Sequence, residues 1–154
     1  MMSAAPKQCA RELLEAVPPV MRFIRGYVRR HPAEGLLVPQ FRALSFLGRT
    51  RDASLSAVAE HLGVSLPAMS RLMNGLVNGG WVKRETVSEN RRQVALALTA
   101  RGRADLEKLR GQIRRQLSQR LSPLSAEERK TICSAMQLLR QTFEPQSAGK
   151  PNKA

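Results

Sequence analysis

The sequence predicts a mainly α-helical fold that carries one small β-hairpin. Two observations support this prediction. Apolar residues recur every three to four positions along most of the chain, and alternation replaces that period only over residues 81–86 and 94–98. The helical stretches are separated by capping serines and threonines, first-turn prolines and terminal glycines. With 154 residues the chain is long enough to bury one core.

The first helix is predicted over residues 7–30, where an apolar residue recurs at every third or fourth position. Pro18 and Pro19 interrupt this stretch, and each removes a backbone donor and crowds the carbonyl four residues earlier. We therefore expect either a kink or two helices, of which the second begins at the prolines. His31 should end the run because it precedes Pro32, and a residue before proline avoids the helical region.

Two shorter helices should follow a loop. One begins at Val38, with a proline in its first turn, and ends at Gly48 as a plausible C-cap. The next is capped by Ser54 or Ser56, whose hydroxyl can accept a bond from a free N–H of the first turn, and runs through Leu62.

A tight turn should join this short helix to the next one. Gly63 suits the left-handed conformation that ends a helix, and Ser65 is placed to cap a helix over residues 66–78. Ala59 is small enough to let the two helices cross closely. We expect three apolar side chains to fill the angle between the helices: Val64, Met69 and Leu72. This is the spacing of a helix-turn-helix.

A hairpin directly after these helices makes the motif a winged helix-turn-helix. Residues 81–86 and 94–98 are the predicted strands, and the polar residues 87–92 lie between them. Alternation predicts one inward face on the second strand, formed by Val94, Leu96 and Leu98.

Two long helices are predicted to close the chain. Thr99 caps the first, over residues 100–121, and Ser125 opens the second with a capping box, since Glu128 stands three residues on. Each helix carries an apolar stripe that needs cover. A single globular monomer is one solution, and burial between two copies is the other. The stripes are Leu106, Leu109, Ile113, Leu117 and Leu121 on the first helix and Ile132, Met136, Leu139 and Phe143 on the second.

The charge of the chain favours a polyanionic partner. Lys and Arg number 26 against 12 Asp and Glu, which gives a formal net charge of +14. Such a chain attracts nucleic acid through counterion release. A membrane surface is the competing polyanion, and an arginine-rich coding bias is the functionally neutral explanation. Aromatic residues make up only 4%, which argues against single-strand binding on stacked rings.

The helix over residues 66–78 has a face suited to duplex DNA. At about 100° per residue, one side of it collects the apolar residues and the other side is polar and free of acids. Arginine can bind the two major-groove acceptors of guanine, and asparagine can pair with the donor and acceptor of adenine. Ser65 and the free N–H groups at the helix start could hold a phosphate. The residues on or near the polar side are Pro67, Ser70, Arg71, Asn74 and Asn78.

The chain resembles the multiple antibiotic resistance regulator (MarR) family of bacterial transcription factors from Leu13 to Phe143. The order of the elements agrees with that family. The resemblance implies a homodimer, a wing that touches the minor groove and often a small-molecule pocket between the DNA-binding and dimer regions. The motifs that carry it are Val38-Pro39-Gln40-Phe41-Arg42-Ala43-Leu44, Leu55 to Ser70-Arg71-Leu72, Gly80-Trp81-Val82, Asn90-Arg91-Arg92 and Leu98-Thr99-Ala100-Arg101-Gly102.

The wing departs from the family pattern at one position. An acidic residue often precedes the wing arginine by two positions, and here Asn90 stands in its place before Arg92. An asparagine accepts a hydrogen bond more weakly than a carboxylate does. We hypothesise that Arg92 enters the minor groove, where the negative potential is concentrated, and that Arg91 lies nearer a phosphate.

Nothing in the sequence predicts an enzyme, a metal site or a cofactor. The two histidines, His31 and His61, lack partners at metal-ligand spacing, and no catalytic triad or glycine-rich phosphate loop stands out. Cys9 and Cys133, without a signal pattern, indicate a reducing cytoplasm. We expect Cys9 to be buried or inert, although some family members sense oxidants through a first-helix cysteine, and Cys133 to pack. No apolar run is long enough to span a membrane, which needs about 20 residues.

The function expected from these features is sequence-specific binding of double-stranded DNA by a homodimer that regulates transcription, most often by repression in this family. Half-sites should lie about one helical turn, roughly 10 bp, apart. Two alternatives are a winged-helix protein that binds nucleic acid without specificity and a winged-helix adaptor that docks a protein. The expected segments are 7–37 and 100–144 for dimerisation, 38–99 for DNA binding and 145–154 as a disordered tail.

Overall fold

The computed structural model describes residues 5–31, 35–86 and 94–144. These residues form a mainly helical fold with one antiparallel hairpin, and the predicted fold class is confirmed. The elements, in chain order, are α1 (Pro6–Arg30), α2 (Val38–Leu47), α3 (Leu55–Leu62), α4 (Leu66–Asn78), β1 (Val82–Thr86), β2 (Val94–Leu98), α5 (Ala100–Leu121) and α6 (Ala126–Phe143).

The chain divides into two compact units at a point within α5, after Ile113. The first unit contains α1 to α4, the hairpin and the beginning of α5. Its core lies where α2, α3 and α4 pack together and meet the hairpin. The largest fully buried side chains are Val28, Leu36, Leu44, Val58, Met69, Met73, Leu76 and Val82.

The first helix does not divide at its prolines. α1 is one helix that contains both Pro18 and Pro19, and so the two-helix alternative is wrong. The residues around the prolines are exposed, and water can therefore satisfy the carbonyls that lose a helical N–H partner. The expected end at the His31-Pro32 boundary is confirmed, because α1 stops at Arg30 and His31 is its C-cap.

The turn between α3 and α4 forms as the sequence predicts. Ser54 caps α3 by accepting a hydrogen bond from the Ala57 N–H at 3.1 Å, and Gly63 ends it in the left-handed region at φ +70°. The small Ala59 is buried. The prediction for Val64 is wrong, since its side chain is 41% exposed and does not fill the angle between the helices. Val64 follows Gly63 in the turn itself, and the reversal of the chain there points it outward.

The hairpin pairs β1 with β2 in an antiparallel register that places Val82 opposite Leu98 and Thr86 opposite Val94. A short bridge adds a third chain segment, because the Leu96 N–H donates to the Ala53 carbonyl at 2.8 Å. Leu96 and Leu98 are buried as predicted, but Val94 is 49% exposed. Val94 forms the last pair of the ladder, at the end away from the core. Alternation predicts the strand face on which it lies but not that the core ends before it, so the predicted burial of Val94 is wrong.

The hairpin base is attached to α5 through Trp81. The indole N–H donates to Asp105 at 2.8 Å, and the Arg101 guanidinium lies 4.8 Å from the ring centroid. Thr99 caps α5 by accepting from the Gly102 N–H at 3.0 Å, and its hydroxyl donates to the Gly80 carbonyl. The motifs Gly80-Trp81-Val82 and Thr99-Ala100-Arg101-Gly102 therefore contact each other and attach the base of the hairpin to the start of α5.

The second unit contains the end of α5 and α6. Ser125 and Glu128 form the predicted capping box, with bonds of 3.2 Å and 2.7 Å. Within α6, which lies wholly in the described part of the chain, no residue is buried. Cys133 is exposed, so its expected packing is wrong. Cys9 on α1 is exposed too and is therefore not buried, while its inertness stays a prediction. Among the helices of the described ranges, none is long and apolar enough to cross a membrane.

Candidate nucleic-acid interface

The helix α4 presents two chemically different faces. Met69, Met73 and Leu76 are fully buried against α2, α3 and the hairpin. The polar side carries no acidic residue, because α4 contains none. Its members Pro67, Arg71, Asn74 and Asn78 are all exposed. The structure therefore brings four of the expected residues into one accessible stripe that a polyanion can approach without repulsion from α4.

Ser70 lies at the border of this stripe and not within it. Its side chain is half-buried, and so is that of Leu72 on the core side. At about 100° per residue, Ser70 lies about 60° from Pro67 and about 80° from Asn78 around the helix axis. A base contact by Ser70 therefore needs a partner that reaches the flank of the helix.

The start of α4 offers fewer free donors than the sequence suggests. Ser65 accepts a hydrogen bond from the Ala68 N–H at 3.3 Å, and Pro67 has no N–H to give. This bond does not use the Ser65 hydroxyl hydrogen, and Ser65 is exposed. A phosphate at this end would therefore be held by the hydroxyl group and the Leu66 N–H.

One residue beside α4 was missed by reasoning from the sequence. Arg84 on β1 donates a hydrogen bond from Nη2 to Asn74 Oδ1 at 2.5 Å, and both side chains are exposed. Arg84 follows the buried Val82 by two residues, so alternation places both on the strand face that meets α4. This alternation was the available signal. Lys83 lies on the opposite face, where it pairs with Glu85 at 2.6 Å.

The two wing arginines lie outside the described residues. Arg91 and Arg92 belong to the segment 87–93, between the ends of β1 and β2. Their expected contacts with the minor groove and a phosphate remain predictions.

A histidine near α4 has an altered acidity. One face of the His61 ring lies against Phe46, with ring centroids 4.5 Å apart, although the residue keeps an exposed edge. The pKa of His61 is lowered from its ordinary value of 6.5. The largest cause is this partial burial, and the positive charges of Arg49 and Arg42 add to it. At neutral pH, His61 therefore adds no charge to the surface around α3.

We expect the free energy of unfolding to fall as the pH is lowered through 6.5. The unfolded chain binds the His61 proton at the ordinary pKa, whereas the folded chain binds it only at lower pH, so acid favours unfolding. Urea titrations at about pH 7.5 and pH 5.5 should show a smaller decline for His61→Gln than for the wild type. Equal declines in the two proteins would contradict the assignment.

Comparison with known proteins assigns these features to one family. Residues 34–93 match the model of the MarR family. The chain is 31% identical over 121 residues to Mb0904, an uncharacterized HTH-type transcriptional regulator of Mycobacterium bovis. The aligned region covers 78% of this chain and 84% of that relative. It is 29% identical over 96 residues to Rv2887, an HTH-type transcriptional repressor of Mycobacterium tuberculosis, covering 62% of this chain and 69% of the relative.

The fold is shared with solved structures. A MarR family protein from Bacillus stearothermophilus is 19% identical and superposes with a TM-score of 0.72 over 94% of this chain and 100% of that one. The winged helix-turn-helix around α4 and the sequence matches lead to the same assignment. The chain belongs to the MarR family of DNA-binding transcriptional regulators.

Proposed function

We propose that the protein is a homodimeric repressor that binds specific sequences in double-stranded DNA. The observation that carries this proposal is the exposed, acid-free stripe of α4, from Pro67 to Asn78, on a chain with a net charge of +14. A helix of this kind fits the major groove, where Arg71 and Asn74 can reach base edges. Ser65, Ser70, Arg91 and Arg92 complete the proposed contact surface.

The homodimer is supported by apolar surface at both ends of the chain. On α1, Leu14 is 75% exposed and Val20 is 50% exposed, and on α6 Met136 and Phe143 are 49% and 72% exposed. Side chains of this kind are stabilised by about 1.5–3 kcal/mol each when they are buried. A second copy that covers these helices would bring two α4 helices to half-sites about one helical turn, roughly 10 bp, apart.

The proposed protein represses transcription and is released from DNA by a small molecule. The name of Rv2887, a repressor, supports the first. The family resemblance alone supports the second, and the effector is a compound of unknown identity. A screen for compounds that dissociate the protein from its selected DNA tests this part directly.

Selection of bound fragments from genomic DNA tests the main proposal. We expect a small set of related sequences with an inverted repeat, bound with an affinity that falls with salt. Steep salt dependence without any preferred sequence would indicate non-specific binding instead. Absence of salt-sensitive duplex affinity would favour a protein adaptor.

We expect Arg71→Ala to weaken binding to the selected site by about 1–3 kcal/mol, because one bidentate base contact is lost. Folding should be unchanged, since Arg71 is exposed. The matched control is Arg103→Ala, which removes the same charge from an exposed position on α5. Fluorescence anisotropy with the selected and a scrambled duplex separates the cases. Equal losses on both duplexes would assign Arg71 to a phosphate, and a loss no larger than that of the control would remove it from the interface.

A further inference from the structure

The side-chain amide of Asn74 is held from outside its own helix. Arg84 Nη2 lies 2.5 Å from Asn74 Oδ1, which joins β1 to the exposed stripe of α4. A guanidinium group has donors only, so the atom of the amide that faces it must be the oxygen. The orientation of the Asn74 amide is therefore set by Arg84, and its NH₂ group is turned away from Arg84.

Within the described residues of β1 and α4, no carboxylate competes with Asn74 for Arg84. The nearest acid along the strand, Glu85, points to the other face of β1 and pairs with Lys83 at 2.6 Å. α4 itself has no acidic residue. Arg84 therefore directs its charge to the groove-facing side of α4, and the amide oxygen of Asn74 is the acceptor that it uses there.

This bond changes what Asn74 can recognise. Bidentate pairing with adenine needs the amide oxygen to accept from N6–H and the amide nitrogen to donate to N7. Arg84 occupies one of the two lone pairs of that oxygen, and its positive charge disfavours a second donor there, so the NH₂ group is the part of the side chain that remains fully free. A free donor of this kind is suited to the two adjacent acceptors of guanine, N7 and O6.

We propose that Arg84 determines the base preference of Asn74 by binding its amide oxygen, so that Asn74 donates to guanine and does not pair with adenine. This inference rests on the proposed function, because it requires α4 to lie in the major groove. Arg84 is a positioning residue in this role: it acts on the base through Asn74.

The test is a selection from randomised duplexes with the full-length protein and three variants. Asn74→Ala identifies the position that Asn74 reads, since the preference at that position alone should disappear. Arg84→Met keeps an unbranched apolar stem, which ends short of the guanidinium group, and removes every donor. Lys83→Met is the matched control, because it removes the same charge from the opposite face of the same strand.

At the position identified with Asn74→Ala, we expect the wild type and Lys83→Met to prefer guanine. Arg84→Met should shift the ratio of guanine to adenine toward adenine by about fivefold or more, the lower end of the discrimination typical of a bidentate base contact. A shift at this one position is not expected from a general loss of stability or charge.

Three results would overturn the inference. The first is an unchanged preference in Arg84→Met with a loss of affinity equal to that of Lys83→Met, which would make Arg84 a source of charge only. The second is a wild-type preference for adenine at the position that Asn74 reads. The third is a wild type that selects no sequence, and this result alone would also refute the proposed function.

Discussion

Gly102→Ala is expected to destabilise the protein, although alanine is the better helix former. A Cβ at position 102 would lie 2.0 Å from the Trp81 carbonyl oxygen and 2.9 Å from the carbonyl carbon. These atoms are backbone and belong to the hairpin base, which Trp81 and Thr99 hold against α5 through the Thr99 N–H bond to the same carbonyl at 3.0 Å. Overpacking of this kind costs about 1–3 kcal/mol, which outweighs the gain of about 1 kcal/mol in helix propensity.

Gly75→Ala is the matched control for this substitution. Gly75 also lies within a helix, but a Cβ there would meet nothing within 4 Å, so we expect an increase in stability of about 1 kcal/mol. Trp81 is the one tryptophan of the chain and lies at the site of the strain, so its fluorescence during urea unfolding reports both variants. If Gly102→Ala proves as stable as the wild type, the close approach of α5 to Trp81 is wrong.

Met136→Glu combined with Leu139→Glu is expected to separate the two copies of the proposed homodimer. These residues lie in the middle of the apolar stripe of α6, a helix without any buried residue. Each interfacial side chain of this size contributes about 1.5–3 kcal/mol when buried. With two-fold symmetry every substitution acts twice, so we expect the dimer to dissociate at a concentration at least about 100-fold higher.

DNA binding should decline together with the dimer. Two linked α4 helices gain avidity of about 10²–10⁴ over a single one, and a monomer that binds one half-site loses this gain. Gln141→Glu, on the opposite side of α6 at helical spacing, adds the same type of charge and should leave the dimer intact. Sedimentation velocity at several concentrations measures the first effect and anisotropy the second. A double variant that sediments as the wild type does would show that α6 lies outside the interface.

Local signals account for most of the fold and for the part of the candidate site that lies on α4. The limits of β2 and α5 and the caps at Ser54, Ser65 and Ser125 follow from residues within a few positions of each boundary. The exposed stripe of α4 follows from helical periodicity alone. By contrast, the continuity of α1 through Pro18 and Pro19 depends on the exposure of the surrounding residues, which local sequence does not reveal.

The sequence by itself determined which residues are helical, where the helices after α1 begin and end, and which face of α4 is polar. These properties arise from interactions among residues at most a few positions apart. Only the tertiary structure decided that Arg84 binds Asn74, ten residues away, and that Gly102 must admit the Trp81 carbonyl. A periodic pattern shows the direction in which a side chain points, but its neighbours there depend on how helices and strands pack. For that reason, the chemistry available at Asn74 could be stated only once β1 was placed beside α4.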